Sequence, residues 1–335
     1  MEPEPLAKTP ASNRPVRRRY WVVIPLFTAA LVHPLAQAAA RLNWRFDLIS
    51  HFQEPALALT LLGLVAALWF RTKNFAALLL ALSIYQILPL TAVWRPNPVP
   101  ASTATGKPAR ILMVNVHDIN DRYDLLSALI RREAPDIVGL VEVTTEWVEG
   151  LNQTGVTRDY PYRRALPFGA RGLAIWFKSR PVEFRPFEVL TPYGNPVYCA
   201  RFQLDDRLCS LWLVHPPNPL RDHELSSDEI LALGRRIGKE PGTRLAIGDF
   251  NRTDGSPFFH DFIRLSGLRD SRIGFGRQGS WPSGFPYRIA IDHAFVSEDL
   301  CVISRRLGPD VGSDHRPLLL EIAPARRAAS SAERR

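Results

Sequence analysis

An α/β sandwich with a paired-sheet core, carried behind an apolar membrane segment, is the architecture this 335-residue sequence predicts. Three observations carry that reading. Residues 1 to 94 run in long blocks of Leu, Ala, Val, Ile, Phe and Trp, whereas residues 110 to 323 alternate short apolar runs with charge, so the chain divides in two. In the second part, β-rich runs with both faces apolar recur between helical stretches, as in sheets sandwiched between other layers. Six of those runs are punctuated by Asn, Asp, Glu or His, which points to one site assembled from strand ends.

Three apolar stretches are candidate membrane spans, at about residues 21–40, 55–70 and 75–94. A helix needs about 20 residues to cross the hydrocarbon core, so the first and third suffice and the second must borrow from Phe52 or tilt less. A cleaved signal peptide is disfavoured by three spans in succession without a clear cleavage site. Charge is missing from every face, which disfavours a soluble bundle. Arg14, Arg17, Arg18 and Arg19 precede the first span, and Arg71 and Lys73 lie between the second and third. Cations concentrate on the cytoplasmic side, so residues 1–20 are expected in the cytoplasm. An odd number of spans then places the rest across the inner membrane, in the periplasm. Residues 95–108, rich in Pro, Ala, Ser and Thr, read as an extended tether. The main domain is expected at 109–323, followed by a basic disordered tail at 324–335.

The net charge of +9 resembles a nucleic-acid signal until it is divided. Lys and Arg outnumber Asp and Glu by ten to four in residues 1–106 and by four to one after residue 325, but match at 28 each between. A neutral domain weakens the case for a dedicated duplex binder, although it can still hold a basic groove. Cys199, Cys209 and Cys301 show no zinc spacing. A two-residue turn at Asp205-Asp206 would pair Cys199 with Trp212, so buried free thiols are expected.

The strands are expected in ILMVNV, DIVGLVEV, GLAIWFK, VYCARFQL, LCSLWLVH, RLAIGDF, RIAIDHAFV and PLLLEI. Residues 121–132 place Leu125, Leu126, Leu129 and Ile130 on one helical face. A helix over 226–239 opens with a capping box, Ser226 to Glu229. Ser256-Pro257 reads as an N-cap with Pro in the first turn. Asn115, Glu142, His215, Asp249 with Asn251, Asp292, and Asp314-His315 fall at or beside these runs. Such a set suits attack on a phosphate ester with help from a hard divalent cation.

In this order the motifs resemble the endonuclease/exonuclease/phosphatase superfamily over about residues 109–323: Asn115, PDIVGLVEV, RGLAIWFKS, the strand ending in His215, GDFN, IDH and SDHRP. More closely the chain looks like the bacterial membrane-anchored branch. The resemblance implies a four-layer sandwich, two packed mixed β-sheets flanked by helices, here behind a three-helix transmembrane segment. It implies a hydrolase dependent on Mg2+ or Mn2+ and a phosphate-ester substrate, either nucleic acid or a phospholipid headgroup.

Glu142 is the expected principal metal ligand, with Asn115 beside the ion or donating to the phosphate, and Asp314 as a further oxygen. Asp292 is expected to orient His315, which either activates water or stabilises the pentavalent phosphorane. Asp249 competes as general base, Asn251 donates to developing charge, and His215 supplies a second imidazole. His293 alternates with Asp292 along a strand and should face away. Arg171 either steers an anion or is a solvated loop residue. His33, His51, His117, His223 and His260 lack comparable context. The competing function is a non-catalytic, membrane-tethered binding module on the same fold.

Overall fold

Small residues inside and large apolar residues outside shape the amino-terminal helices. In the computed structural model, which describes residues 14–326, these are α1 (Arg14–Ala39), α2 (Trp44–Ser50), α3 (Gln53–Trp69) and α4 (Lys73–Leu90). Most of the expected cytoplasmic segment and most of the basic tail lie outside the described residues. Ala30, Ala67 and Ala76 are buried with Val23 and Leu79, while Trp21, Leu35, Leu62, Leu68, Trp69 and Leu78 face outward. Helices that pack in lipid show this pattern, since only close backbone approach distinguishes a neighbour helix from acyl chains. Residues 19–39 and α4 are each long and apolar enough to cross a membrane. The second expected span differs in form: α3 reaches a comparable length only with α2, from which it is bent by 72°.

Strand alternation builds the domain. The first sheet contains β1 (Ala109–Asn115), β2 (Ile137–Val141), β3 (Tyr162–Leu166) and β4 (Leu173–Phe177). The second contains β5 (Glu183–Phe184), the short β6 (Glu188–Val189) paired with β7 (Pro196–Leu204), then β8 (Arg207–Val214), β9 (Thr243–Asp249), β10 (Arg269–Asp270) and β11 (Asp292–Val296). The chain returns to the first sheet with β12 (Leu300–Leu307) and β13 (Leu318–Pro324). Strand order is β12-β13-β1-β2-β4-β3 in one sheet and β10-β11-β9-β8-β7-β5 in the other. Ile111 and Met113 of β1 meet Leu245 and Ile247 of β9 between the sheets. The alternate residues Leu112 and Val114 pack outward under helices.

Two pairs are parallel, β1 with β2 and β8 with β9, and each needs a helical crossover. The crossovers are α5 (Tyr123–Glu133) and, after the short α6 (Thr145–Gln153) that follows β2, α7 (His223–Gly238). The helix α8 (Pro257–Ser266) follows β9, with Ser256 capping it as expected. The expected capping box in α7 is corrected: the helix starts three residues earlier, and Asp222 accepts from the Leu225 amide. Ser226 and Glu229 are buried within it instead. Cys199 pairs with Trp212 across the β7–β8 turn, and all three cysteines are buried and free.

The tether reading is also corrected. Residues 95–108 carry a short 3-10 turn at Ala101–Thr103, and Ala104 bridges to Ala325. The Gly274 and Gly276 amides donate to the Val93 carbonyl, so the end of the helical segment is fastened to the domain. β13 runs to Pro324, one residue into the expected tail.

Candidate active site

Parallel strands bring their carboxyl ends to one edge, and here both sheets do so at the same place. Asn115 ends β1, Glu142 follows β2, His215 follows β8, and Asp249 ends β9. Asp292 opens β11 directly opposite Asp249 in the antiparallel register. Asp314 and His315 arrive on the loop between β12 and β13. Gly248 is required beside Asp249: its φ is +153°, and a Cβ there would lie 1.8 Å from the Val214 carbonyl oxygen.

The side chains converge. Asn115 Nδ2 donates to Glu142 Oε1 at 2.8 Å and to Asp249 Oδ2 at 3.1 Å, while its Oδ1 accepts from the His117 amide. His215 Nε2 lies 3.7 Å from both Glu142 Oε1 and Asp249 Oδ2. His315 Nδ1 is 2.7 Å from Asp292 Oδ2, and its Nε2 is 3.7 Å from Asp249 Oδ2. The Asn251 amide donates to Asp249 Oδ1, and Asn251 Nδ2 to the Pro216 carbonyl. Asn115, His215, Asp249, Asn251, Asp292 and His315 are buried, and a cavity of about 470 Å3 opens over the group.

The endonuclease/exonuclease/phosphatase family model matches residues 114–315, which span this whole constellation. The chain belongs to that family. Among solved structures of similar fold are D. rerio TDP2 complexed with a single-strand DNA product, 17% identical with a TM-score of 0.53, covering 65% of this chain and 99% of that one. The human Nocturnin catalytic domain with bound sulfate is 15% identical with a TM-score of 0.54, covering 66% of this chain and 96% of that one. A Bacteroides thetaiotaomicron family protein is 16% identical with a TM-score of 0.53, covering 65% and 98%. No curated protein matches the chain. The family fold therefore accounts for the two mixed sheets and their flanking helices, and the helices before residue 94 lie outside it.

Electrostatics distinguish the buried groups. Burial raises the Asp249 carboxyl above the usual range, against the neighbouring His315 and with help from Asp292. Burial opposes charge on His315, yet Asp292 and Asp249 together outweigh it and push the imidazole well above its ordinary value. His293 is placed as its alternation predicts. It faces away among Phe250, Phe259 and Phe295, and burial pulls it down to about 4.

The donor set fits a hard divalent cation. Glu142, His215 and Asp249 each offer a ligand atom within 4.8 Å of the others, as do Asp249, Asp292 and His315. Two carboxylates drawn onto one Asn115 amide are like charges in want of a cation. Oxygen-rich groups of this kind suit Mg2+ or Mn2+. Asp314 is half-exposed at the rim, accepting from Trp281 Nε1 at 2.9 Å, with His117 Nδ1 at 3.5 Å and His315 Nε2 at 3.9 Å from its carboxylate.

Other residues of the site left little trace in sequence. Asn195 Nδ2 holds the His215 carbonyl at 2.6 Å, and the Asn195 amide donates to buried Glu229. The Gly-Asn-Pro context of Asn195 signals only a turn. Ser313 Oγ donates to the Asn115 carbonyl and accepts from the His315 amide, tying the histidine loop to β1. Leu48, His51 and Phe52, from the segment between α1 and α3, line the cavity as well. His51 and His117 thus gain a context their sequence neighbours did not supply. Arg171 also lines the cavity, with its guanidinium over the Phe168 ring.

Proposed function

We propose that this protein is a membrane-anchored, divalent-metal-dependent phosphoesterase of the bacterial membrane-anchored branch of its family, with its site on the periplasmic side. One observation carries the reading. Glu142, His215, Asp249, Asn251 and His315 line one cavity, with Asn115 and Asp292 bonded behind them, so that six separate chain segments meet at one place. A structural role alone does not call for so many buried titratable groups in contact.

Glu142 would be the principal ligand for Mg2+ or Mn2+, with Asn115 and Asp314 offering further oxygens beside it. When bound, the ion supplies Lewis-acid polarisation of a phosphoryl oxygen. Asp249, buried at the site with its Oδ1 fixed by the Asn251 amide, is suited to take a proton from the attacking water. The P–O bond to the leaving group breaks as the new P–O bond forms, and solvent protonates the departing oxygen. His315, held cationic by Asp292, and His215 stabilise charge on the phosphoryl oxygens, with Asn251 orienting Asp249.

The test uses the full chain in detergent with a chromogenic phosphodiester. Turnover should require Mg2+ or Mn2+, stop on chelation and fall sharply in Glu142→Gln. Full activity in excess chelator would sink the reading, as would binding of phosphate esters without any cleavage, the behaviour of a binding module.

A further inference from the structure

The wall that Leu48, His51 and Phe52 add to the cavity comes from the segment joining two apolar helices, so the catalytic floor and the membrane unit share one cavity. That wall is built in. Asp47 is fully buried, with Oδ1 accepting from Ser256 Oγ at 2.6 Å and Oδ2 lying 3.4 Å from Nε of the equally buried Arg252. His51 Nδ1 accepts from the Thr253 amide at 3.1 Å. Arg252 and Thr253 directly follow Asn251, so the loop bearing Asp249 and Asn251 is the one the membrane segment grips.

The cavity is two-faced. Its floor is the acidic and imidazole cluster, and its upper lining includes Leu48, Phe52, Leu220, Trp281, Ile289 and Ile291. Among the described residues of the domain, seven large apolar side chains are exposed; Leu220 lines the cavity itself, and Ile119, Phe168, Tyr193 and Phe285 stand on loops whose other residues, such as Asp118, Arg171, Asn195 and Trp281, line it. Tyr193 and Ile119 are 88% and 81% exposed. Exposed apolar side chains concentrated on the loops that frame one cavity mark a surface that meets something apolar.

We propose that the substrate is an amphipathic phosphate ester of the bilayer, a phospholipid whose phosphate reaches the floor while its chains lie against Leu48 and Phe52. These two residues are specificity determinants supplied by the membrane unit. The proposal rests on the phosphoesterase reading of the same site.

The experiment compares three substrates of the full chain in lipid nanodiscs with Mg2+: a nitrophenyl phosphodiester of a diacylglycerol, the nitrophenyl methyl phosphodiester, and a single-stranded oligonucleotide. The diacyl ester should exceed the methyl ester in kcat/KM by at least about tenfold, the scale of one buried apolar side chain. The doubly substituted Leu48→Ser, Phe52→Ser protein should lower that ratio at least about fivefold, and a ratio does not depend on the fraction of protein that folds. Equal kcat/KM for the two esters, an unchanged ratio in the variant, or faster cleavage of the oligonucleotide would each overturn the lipid assignment while leaving the phosphoesterase intact. Failure to cleave any of the three would remove both.

Discussion

Glu142, His117 and Asn251 all hold φ near +60°, in the left-handed region, and all three stand at the site. For a residue with a Cβ that conformation costs on the order of 1 kcal/mol, and it persists where the surroundings over-determine it. Here the Asp118 amide and Asn115 Nδ2 fix the Glu142 carboxylate, and the Asp249 carboxylate fixes the Asn251 amide. The pair of Asp292 and His315 is the sharpest test at this scale. His315→Ala should cut turnover by roughly a hundredfold or more with little change in substrate affinity, in line with the usual worth of a positioned acid or base. Asp292→Asn should resemble it, and full steady-state kinetics of both variants check the claim. These residues were legible because each falls beside an apolar run in a short motif. Glu229 was not, because its partner Asn195 lies 34 residues away and no local pattern joins them. Burial raises the Glu229 carboxyl to about 7, against the Asn195 amide that lowers it. The folded state therefore holds a proton that the unfolded state releases near 4.5, and stability falls as pH rises from there to about 7. Glu229→Gln should leave the melting temperature unchanged near pH 4 and raise it by roughly 5 °C or more at pH 8, read by thermal unfolding at both values.

Among the elements, the segment between α1 and α3 departs furthest from its sequence reading. Its two arginines and two acids balance in charge, which made residues 41–54 look like a plain loop. Three of the four find partners only in three dimensions, while Arg45 lies over its neighbour Trp44. Arg41 pairs with Asp261 of α8, Glu54 pairs with Arg277 and accepts from Tyr287, and Asp47 is buried under Arg252 and Ser256. Long-range pairing of this sort has no periodicity, whereas the apolar helices and buried strands announce themselves by composition and alternation. The crossover strands were likewise legible, while the edge strands β3 and β12 were not: β3 is largely exposed, and a register shift between Val302 and Ser304 interrupts β12. Asp47→Ala should remove the carboxylate facing a fully buried guanidinium. A loss of about 3 to 5 kcal/mol is the expected cost of stranding a buried charge, measurable by denaturant unfolding of the full chain in detergent. Gly255 gives an independent probe of the same contact. A Cβ there would lie 1.9 Å from the Ser50 carbonyl oxygen, so Gly255→Ala should also destabilise the docked segment.

For the whole molecule, the contacts decide which end of the helical bundle bears the domain. Arg41 and Asp47 follow α1, Gln53 and Glu54 open α3, and Val93 and Trp94 follow α4; all of them touch the domain. The turn at Arg71-Thr72 joins the other ends of α3 and α4, and Arg19 lies at the start of the first apolar helix. The domain and these cations thus occupy opposite ends of the bundle. Cytoplasmic loops carry the excess of Lys and Arg, because cations resist translocation. The domain should accordingly be periplasmic, the same side on which a lipid-facing cavity would meet the outer leaflet of the inner membrane. A carboxy-terminal reporter that works only in the cytoplasm should be silent on the full chain, and one that requires export should be active. Moving the cations tests the cause: Arg71→Glu with Lys73→Glu should weaken the bias and produce a mixed population, while the same substitutions at exposed Arg residues of the domain should leave orientation unchanged. A strong cytoplasmic signal from the unaltered chain would reverse the topology and place the site on the other face of the membrane.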